Sequence, residues 1–187
     1  MIIKKTKLEG LVIIEPEVFR DNRGFFTESY SKRTLKNYGF IFDMVQDNHS
    51  LSFEEGTIRG LHYQLNPKAQ TKIVRALRGS FMDVAVDIRK GSPTFGKWES
   101  IILTAENMKQ VIIPKGFAHG ICTTAPNTEV FYKVDQFYNS EYERAIRWDD
   151  PELAIDWPYV KCILSDKDRK APFFPEAEIN FIYKDTR

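Results

Sequence analysis

The chain has 187 residues, 42% of them hydrophobic and 28% charged, which is enough for one folded domain with its own core. A formal net charge of +1 provides no global field toward nucleic acid or a membrane surface. No stretch approaches the ~20 apolar residues of a membrane helix, and the opening MIIKKTKLEG lacks the apolar run of a secretory leader.

In chain order, LVIIEP (11–16) is a β-branched run closed by proline. DNRGFFTESY (21–30) reads as a tight turn entering a strand. SKRTLKNYG (31–39) opens at a serine cap and stops at glycine, which predicts a short helix. RGLHYQ (59–64) reads as strand, as does KIVRALRG (72–79). SFMDVAVDIRKGSP (80–93) alternates, with Met82, Val84 and Val86 on one face and Asp83, Ala85 and Asp87 on the other. WESIILT (98–104), KQVIIPKG (109–116) and TEVFYKVDQFY (128–138) follow the same form. DDPELAIDWP (149–158) and SDKDRKAP (165–172) read as short helices or turns. The two cysteines, Cys122 and Cys162, form no metal pattern and read as reduced cytosolic thiols rather than a lone disulfide. Regular strands without a repeat or linker predict a single mainly β domain over 1–187. The expected architecture is a cupin-type jelly roll, a double-stranded β-helix with short peripheral helices. Inward polar side chains of such a roll converge on one cavity.

Three histidines occur, His49, His62 and His119. A lone histidine is usually a satisfied structural group, but His62 has Arg59 and Gly60 beside it. On a regular strand Arg59 and His62 face opposite sides, so they share a cavity only if the strand bulges between them, and Gly60 permits that. Lys72 shares a face with Val74 and Ala76, and its ammonium enters the cavity if that face is internal. Tyr132 lies on an apolar face with Val130 and Val134, the pattern of a core aromatic and also of an acid on a cavity wall. Asp83, Asp87 and Asp168 are carboxylates that could orient an imidazole. Arg23, Phe26 and Glu28 stand close together in DNRGFFTESY; arginine suits phosphate and phenylalanine offers a face to a base.

PKGFAHG (114–120), with His119, resembles the second half-motif of the cupins. The stretch LHYQLNPKAQ has one histidine where metal cupins carry two and a glutamate, so no metal is expected. Together DNRGFFTESY, VQDNHS, TIRGLHYQ, KIVRALRGSFMDVAVDIRKGSPTFGKW, IPKGFAHG, FYKVDQFY, IRWDDPELAIDWP and SDKD closely resemble the dTDP-4-dehydrorhamnose 3,5-epimerase family, from about residue 11 to 170. The resemblance implies a cytoplasmic homodimer with strand exchange. It implies inversion at C3 and C5 of a dTDP-linked 4-keto-6-deoxyhexose, without metal or nicotinamide. A base removes the proton flanking the C4 ketone, a cation holds the enolate oxygen, and an acid returns a proton to the other face.

By the same resemblance His62 is the base, Asp168 its partner, Lys72 the enolate-stabilising cation and Tyr132 the acid. Substrate contacts are implied for Arg23, Phe26, Glu28, Gln46, Asp47, Asn48, Arg59, His119, Glu143 and Lys167. Asp83 is implied to orient His119, and Tyr138 to stack on the thymine. Ile58, Ala145 and the stretch HGIC depart from the family pattern without removing a proposed catalytic group. The competing readings are a mono-epimerase or 3,4-ketoisomerase on a related sugar, and a non-catalytic sugar-nucleotide binding module. A metal-dependent cupin oxygenase stands behind both, because ligands are too few.

Overall fold

A computed structural model describes residues 1–184. Its strands are β1 (Ile2–Lys5), β2 (Val12–Glu15), β3 (Phe19–Asp21), β4 (Gly24–Phe26), β5 (Gln46–Ser52), β6 (Ile58–Gln64) and β7 (Lys72–Arg78). They continue with β8 (Ser80–Asp87), β9 (Trp98–Thr104), β10 (Gln110–Ile113), β11 (Phe117–Thr123), β12 (Thr128–Val134) and β13 (Glu143–Ala145). Two helices interrupt them, α1 (Lys32–Asn37) and α2 (Asp166–Arg169). Both begin at a serine whose hydroxyl accepts a backbone N–H of the first turn, Ser31 from Thr34 and Ser165 from Asp168. No helix of the described residues is long and apolar enough to cross a membrane.

The strands form a six-stranded sheet in the order β1-β2-β10-β7-β12-β5 and a five-stranded sheet in the order β13-β6-β11-β8-β9. Every ladder in the two sheets is antiparallel, and the expected jelly roll is the sandwich they make. Between the sheets lie Phe81, Leu103, Phe117 and Ile121 from one side and Val74, Ala76, Val111 and Val130 from the other. Each of these side chains other than Ala76, fully buried, contributes about 2 kcal/mol. The outer face of the five-stranded sheet, with Met82, Val84 and Val86, is covered by Leu153, Phe174, Ile179 and Phe181 of the C-terminal segment. That cover is why β8 is buried on both faces despite its clean alternation. On the other sheet, Leu35 of α1 covers Val12, Ile14, Ile73 and Ile112.

Several boundaries differ from expectation. β8 stops at Asp87 because its buried carboxylate accepts from Arg89, Ser92 and Thr94 and bends the chain into a turn. β12 stops at Val134 rather than running on to Tyr138, while 149–158 takes the turn form, one of the two expected there. β5 is not foreseen by pattern, since Gln46, Asn48 and Ser50 give its inner face no apolar period. β11 is missed because it is buried on both faces and broken by Gly120.

One irregularity positions the site. His119 of β11 pairs with His62, and Ile121 pairs with Arg59, so two residues of β11 span three of β6. His119 and Ile121 point the same way, so the bulge turns Arg59 and His62 to one face. Gly60 takes φ +137° there, and a Cβ on it would lie 2.4 Å from the Gly120 Cα and 2.8 Å from the His119 carbonyl oxygen. Backbone cannot yield at such distances. Gly60→Ala is therefore expected to cost at least about 2 kcal/mol and lower Tm by roughly 5 °C or more, read by thermal unfolding. A wild-type Tm would show that the bulge tolerates a side chain.

Candidate active site

The two sheets part at one end around a cavity of about 630 Å³. β6 contributes Arg59 and His62, β11 contributes His119, β7 contributes Lys72, and β12 and β5 contribute Tyr132 and Asn48. Tyr138, Glu143, Lys167 and Asp168 close the remaining wall. The segment before α2 is laced to β6: Ile58 N–H donates to the Ile163 carbonyl, and Ile163 N–H donates to that of Gly56, both at 2.9 Å.

That lacing brings Asp168 to His62 across 106 residues of chain, with Nε2 2.5 Å from Oδ1. The other carboxylate oxygen accepts from Ser165 Oγ at 2.8 Å. Burial would raise the Asp168 carboxyl, but the bonds from His62 and Ser165 outweigh it and hold it below the usual carboxylate range. An ionised Asp168 accepts a hydrogen bond from the Nε2–H of His62, which leaves Nδ1 as the nitrogen able to accept a proton. Ser165 went unnoticed in the sequence. Its signal was there, a serine three residues before an aspartate at a helix start.

A second imidazole–carboxylate pair lies deeper. His119 Nε2 stands 2.8 Å from Asp83 Oδ2, and burial lowers the His119 pKa more than Asp83 raises it. His119 is thus neutral and donates to Asp83. Lys72 is only 9% exposed, and its Nζ reaches the His62 carbonyl at 3.4 Å. Burial pushes its ammonium down to about 8, while Asp83 and Glu143 keep it from falling further. Tyr132 faces His62 and His119 from the opposite sheet, the sheet that also carries Lys72. Burial raises its phenol, so the hydroxyl keeps its proton at neutral pH, with Arg59 opposing the shift. Among the described residues, no three His, Cys, Asp or Glu side chains cluster closely enough to hold a metal ion.

The rim is polar and paired. Glu143 accepts from Tyr138 Oη at 2.8 Å and from Lys167 Nζ at 2.5 Å. Burial would raise its carboxyl, but those two bonds outweigh it and keep it ionised. Arg59 is held by Ser52 Oγ at 3.2 Å and the Leu51 carbonyl at 3.1 Å. Gln46 lies beside the cavity, donating to Asn48 Oδ1 and accepting from the N–H of Tyr138.

Five expected residues lie elsewhere. Asp47 alternates to the outer face of β5 and pairs with Lys133, because its neighbours Gln46 and Asn48 take the inner face. Asp87 is spent on the turn after β8. Arg23 and Phe26 sit on the hairpin β3–β4, which buries neither face; Arg23 pairs with Asp21, and Phe26 is 69% exposed. Glu28 accepts from Thr34 on α1. Within one chain, none of Arg23, Phe26 and Glu28 reaches the cavity.

The sequence pattern of the family described as dTDP-4-dehydrorhamnose 3,5-epimerase matches residues 5–176. A curated protein of that name from Shigella flexneri is 48% identical over 95% of this chain and 98% of its own. The crystal structure of the Bacillus anthracis dTDP-4-dehydrorhamnose 3,5-epimerase, with TDP and PPi bound, superposes with a TM-score of 0.90. It is 51% identical and covers 91% of this chain and 98% of its own. A Legionella pneumophila dTDP-6-deoxy-D-glucose-3,5-epimerase in complex with dTDP-4-keto-L-rhamnose gives 0.88 at 46% identity, covering 93% of each chain. With two imidazole–carboxylate pairs, a buried lysine and a protonated tyrosine around one cleft, this chain belongs to the dTDP-4-dehydrorhamnose 3,5-epimerase family of isomerases.

Proposed function

We propose that this chain inverts C3 and C5 of dTDP-4-dehydro-6-deoxy-D-glucose to give dTDP-4-dehydro-L-rhamnose, in the dTDP-L-rhamnose pathway. The observation that carries this reading is the placement of His62 and Tyr132 on facing sheets of one cavity, with Lys72 at its base. Inversion needs a proton removed from one face of the sugar ring and another delivered to the opposite face. A single base cannot do both without turning the substrate over.

His62 Nδ1 takes the proton from the carbon beside the C4 ketone, and Asp168 stabilises the imidazolium that results. Charge moves to O4 as the enolate forms. The buried ammonium of Lys72 stabilises that oxygen, with more effect than an exposed lysine would have because burial lowers the local dielectric. His119, neutral and held by Asp83, serves as a donor to the sugar rather than as a second cation. Tyr132 then gives its proton to the carbon from the other face. C3 and C5 both flank C4, so one enolate-stabilising group serves both inversions. No hydride moves, and the chemistry asks for no cofactor.

The nucleotide end falls to Arg59, Asn48, Gln46, Lys167, Glu143 and Tyr138. Arg23, Phe26 and Glu28 belong to this reading through a homodimer with strand exchange, in which each hairpin reaches the partner's cavity. Phe19, Phe25 and Phe26 are more than half exposed on that hairpin, an apolar surface out of keeping with a free loop tip. The free thiols Cys122 and Cys162 fit a reducing cytoplasm.

The decisive experiment follows the substrate by NMR in heavy water. Wild type is expected to place deuterium at both C3 and C5; deuterium at one carbon alone would make it a mono-epimerase. His62→Ala is expected to lose about 10²–10⁴-fold in exchange, and near-normal exchange would remove His62 as the base. Tyr132→Phe should exchange but fail to invert at one or both carbons; unchanged product would move the acid elsewhere.

The pH profile gives a second check. The lowered Lys72 pKa leaves the ammonium charged below about 8 and discharges it as pH rises through that value. kcat/KM is therefore expected to fall on the alkaline side of about 8, and the Lys72→Met enzyme to lack that limb. An alkaline limb unchanged in Lys72→Met would assign it to another group.

Mixing tests the hairpin. Arg23→Ala and His62→Ala proteins, each weak alone, are expected to regain activity when unfolded and refolded together, because a hybrid dimer contains one intact site. No recovery in demonstrably mixed dimers would place Arg23 and His62 in the same subunit's site.

A further inference from the structure

Gln64 closes the motif RGLHYQ and takes no part in proton transfer, yet it stands in the cavity wall only 4% exposed. Both ends of its amide are engaged. Nε2 donates to the Lys68 carbonyl at 2.6 Å and to the Phe137 carbonyl at 3.3 Å. Oε1 accepts from the N–H of Asn139 at 2.7 Å. Phe137 and Asn139 flank Tyr138, so one side chain grips the backbone immediately before and after it.

The other constraints on Tyr138 converge from the same place. Its own N–H donates to Gln46 Oε1 at 3.1 Å. Its hydroxyl donates to Glu143, and Glu143 is the residue paired with Gln64 in the ladder between β13 and β6. Tyr138 is thus held at the backbone by the Gln64 side chain and at the hydroxyl by Gln64's strand neighbour. Tyr138 remains 55% exposed at the cavity edge. Only a side chain with both donors and an acceptor at this length satisfies a carbonyl on one side of Tyr138 and an N–H on the other.

We propose that Gln64 is a positioning residue that sets the Tyr138 ring against the nucleobase, so that nucleotide affinity is fixed from the strand that carries the base His62. This rests on the proposed dTDP-sugar reading, in which Tyr138 stacks on thymine. Two residues along β6 from His62, and on the same face, Gln64 ties the nucleotide end of the site to the reacting end. The loop does not depend on Gln64 alone. Gln70 Nε2 donates to the Gln136 carbonyl at 2.8 Å, and Leu65 N–H donates to the Tyr142 carbonyl at 2.9 Å. Removing Gln64 therefore loosens 137–139 while the loop keeps its path.

The test measures dTDP binding by calorimetry and steady-state turnover for Gln64→Leu and Gln64→Glu. The glutamate variant preserves volume and the acceptor for Asn139, so it reports even where the leucine variant does not fold. Expected is a rise of about tenfold in the dTDP Kd and in KM, with a much smaller change in kcat at saturation. In a Tyr138→Ala background the same substitutions are expected to add little, because the ring they position is gone. Losses that add in full to Tyr138→Ala, or a fall in kcat with KM unchanged, would overturn the positioning role. Failure of wild type itself to bind dTDP would instead overturn the nucleotide reading, and this proposal with it.

Discussion

The site depends on the close approach of two glycine backbones. Gly60 and Gly120 meet where β6 and β11 run side by side; a Cβ on Gly60 would collide with backbone, and one on Gly120 would press on the Leu61 side chain. The approach admits one extra residue into β6 and turns Arg59 to the same side as His62. Without the bulge, the cation and the imidazole would lie on opposite faces of a strand. One would face the cavity and the other the apolar cover formed by the C-terminal segment. The glycines thus decide which side chains the ligand meets.

Around that floor the structure spends its buried charge sparingly. Each imidazole has its own carboxylate, and each carboxylate is itself positioned, Asp168 by Ser165 and Asp83 by the fully buried face of β8. Lys72 is the exception, with burial outweighing its distant carboxylates. A cation lacking close neutralisation is unfavourable in the resting protein, and for that reason it responds strongly when negative charge develops on a bound ketone. Burial against the same sandwich core lowers the Lys72 pKa and raises that of Tyr132.

The two ends of the cavity are built differently. The reacting end sits on β6, β7, β11 and β12, strands whose neighbours on both sides hold them in register. In the proposed reading the nucleotide end rests on the edge strand β13, on the segment leading to α2 and on the loop around Tyr138, which is joined to the sheets by side-chain bonds from Gln46, Gln64 and Gln70. Rigid strands suit groups that must meet one carbon from opposite faces. Loops tied by amides suit a base whose stacking tolerates small adjustment. The hairpin β3–β4 stands apart from both large sheets of its own chain, with its aromatics exposed.

Much of this was readable in the residues. Alternation located β7, β8 and β9, serine and glycine bounded α1, and Gly60 suggested the bulge that brings Arg59 to His62. The motifs RGLHYQ, FYK and SDKD pointed, through the family resemblance, to groups that line the cavity. What only the tertiary structure decided were relations between distant segments. Asp168 meets His62 because Ile163 is laced to β6, and Asp47 turns outward because its strand's inner face is claimed by Gln46 and Asn48. β5 lacked an apolar period because its inner face lines a polar cavity, so hydrophobic patterning could not reveal it. Residue identity determined which chemistry was available. Register, a pairing between strands far apart in sequence, determined which of those groups face one another.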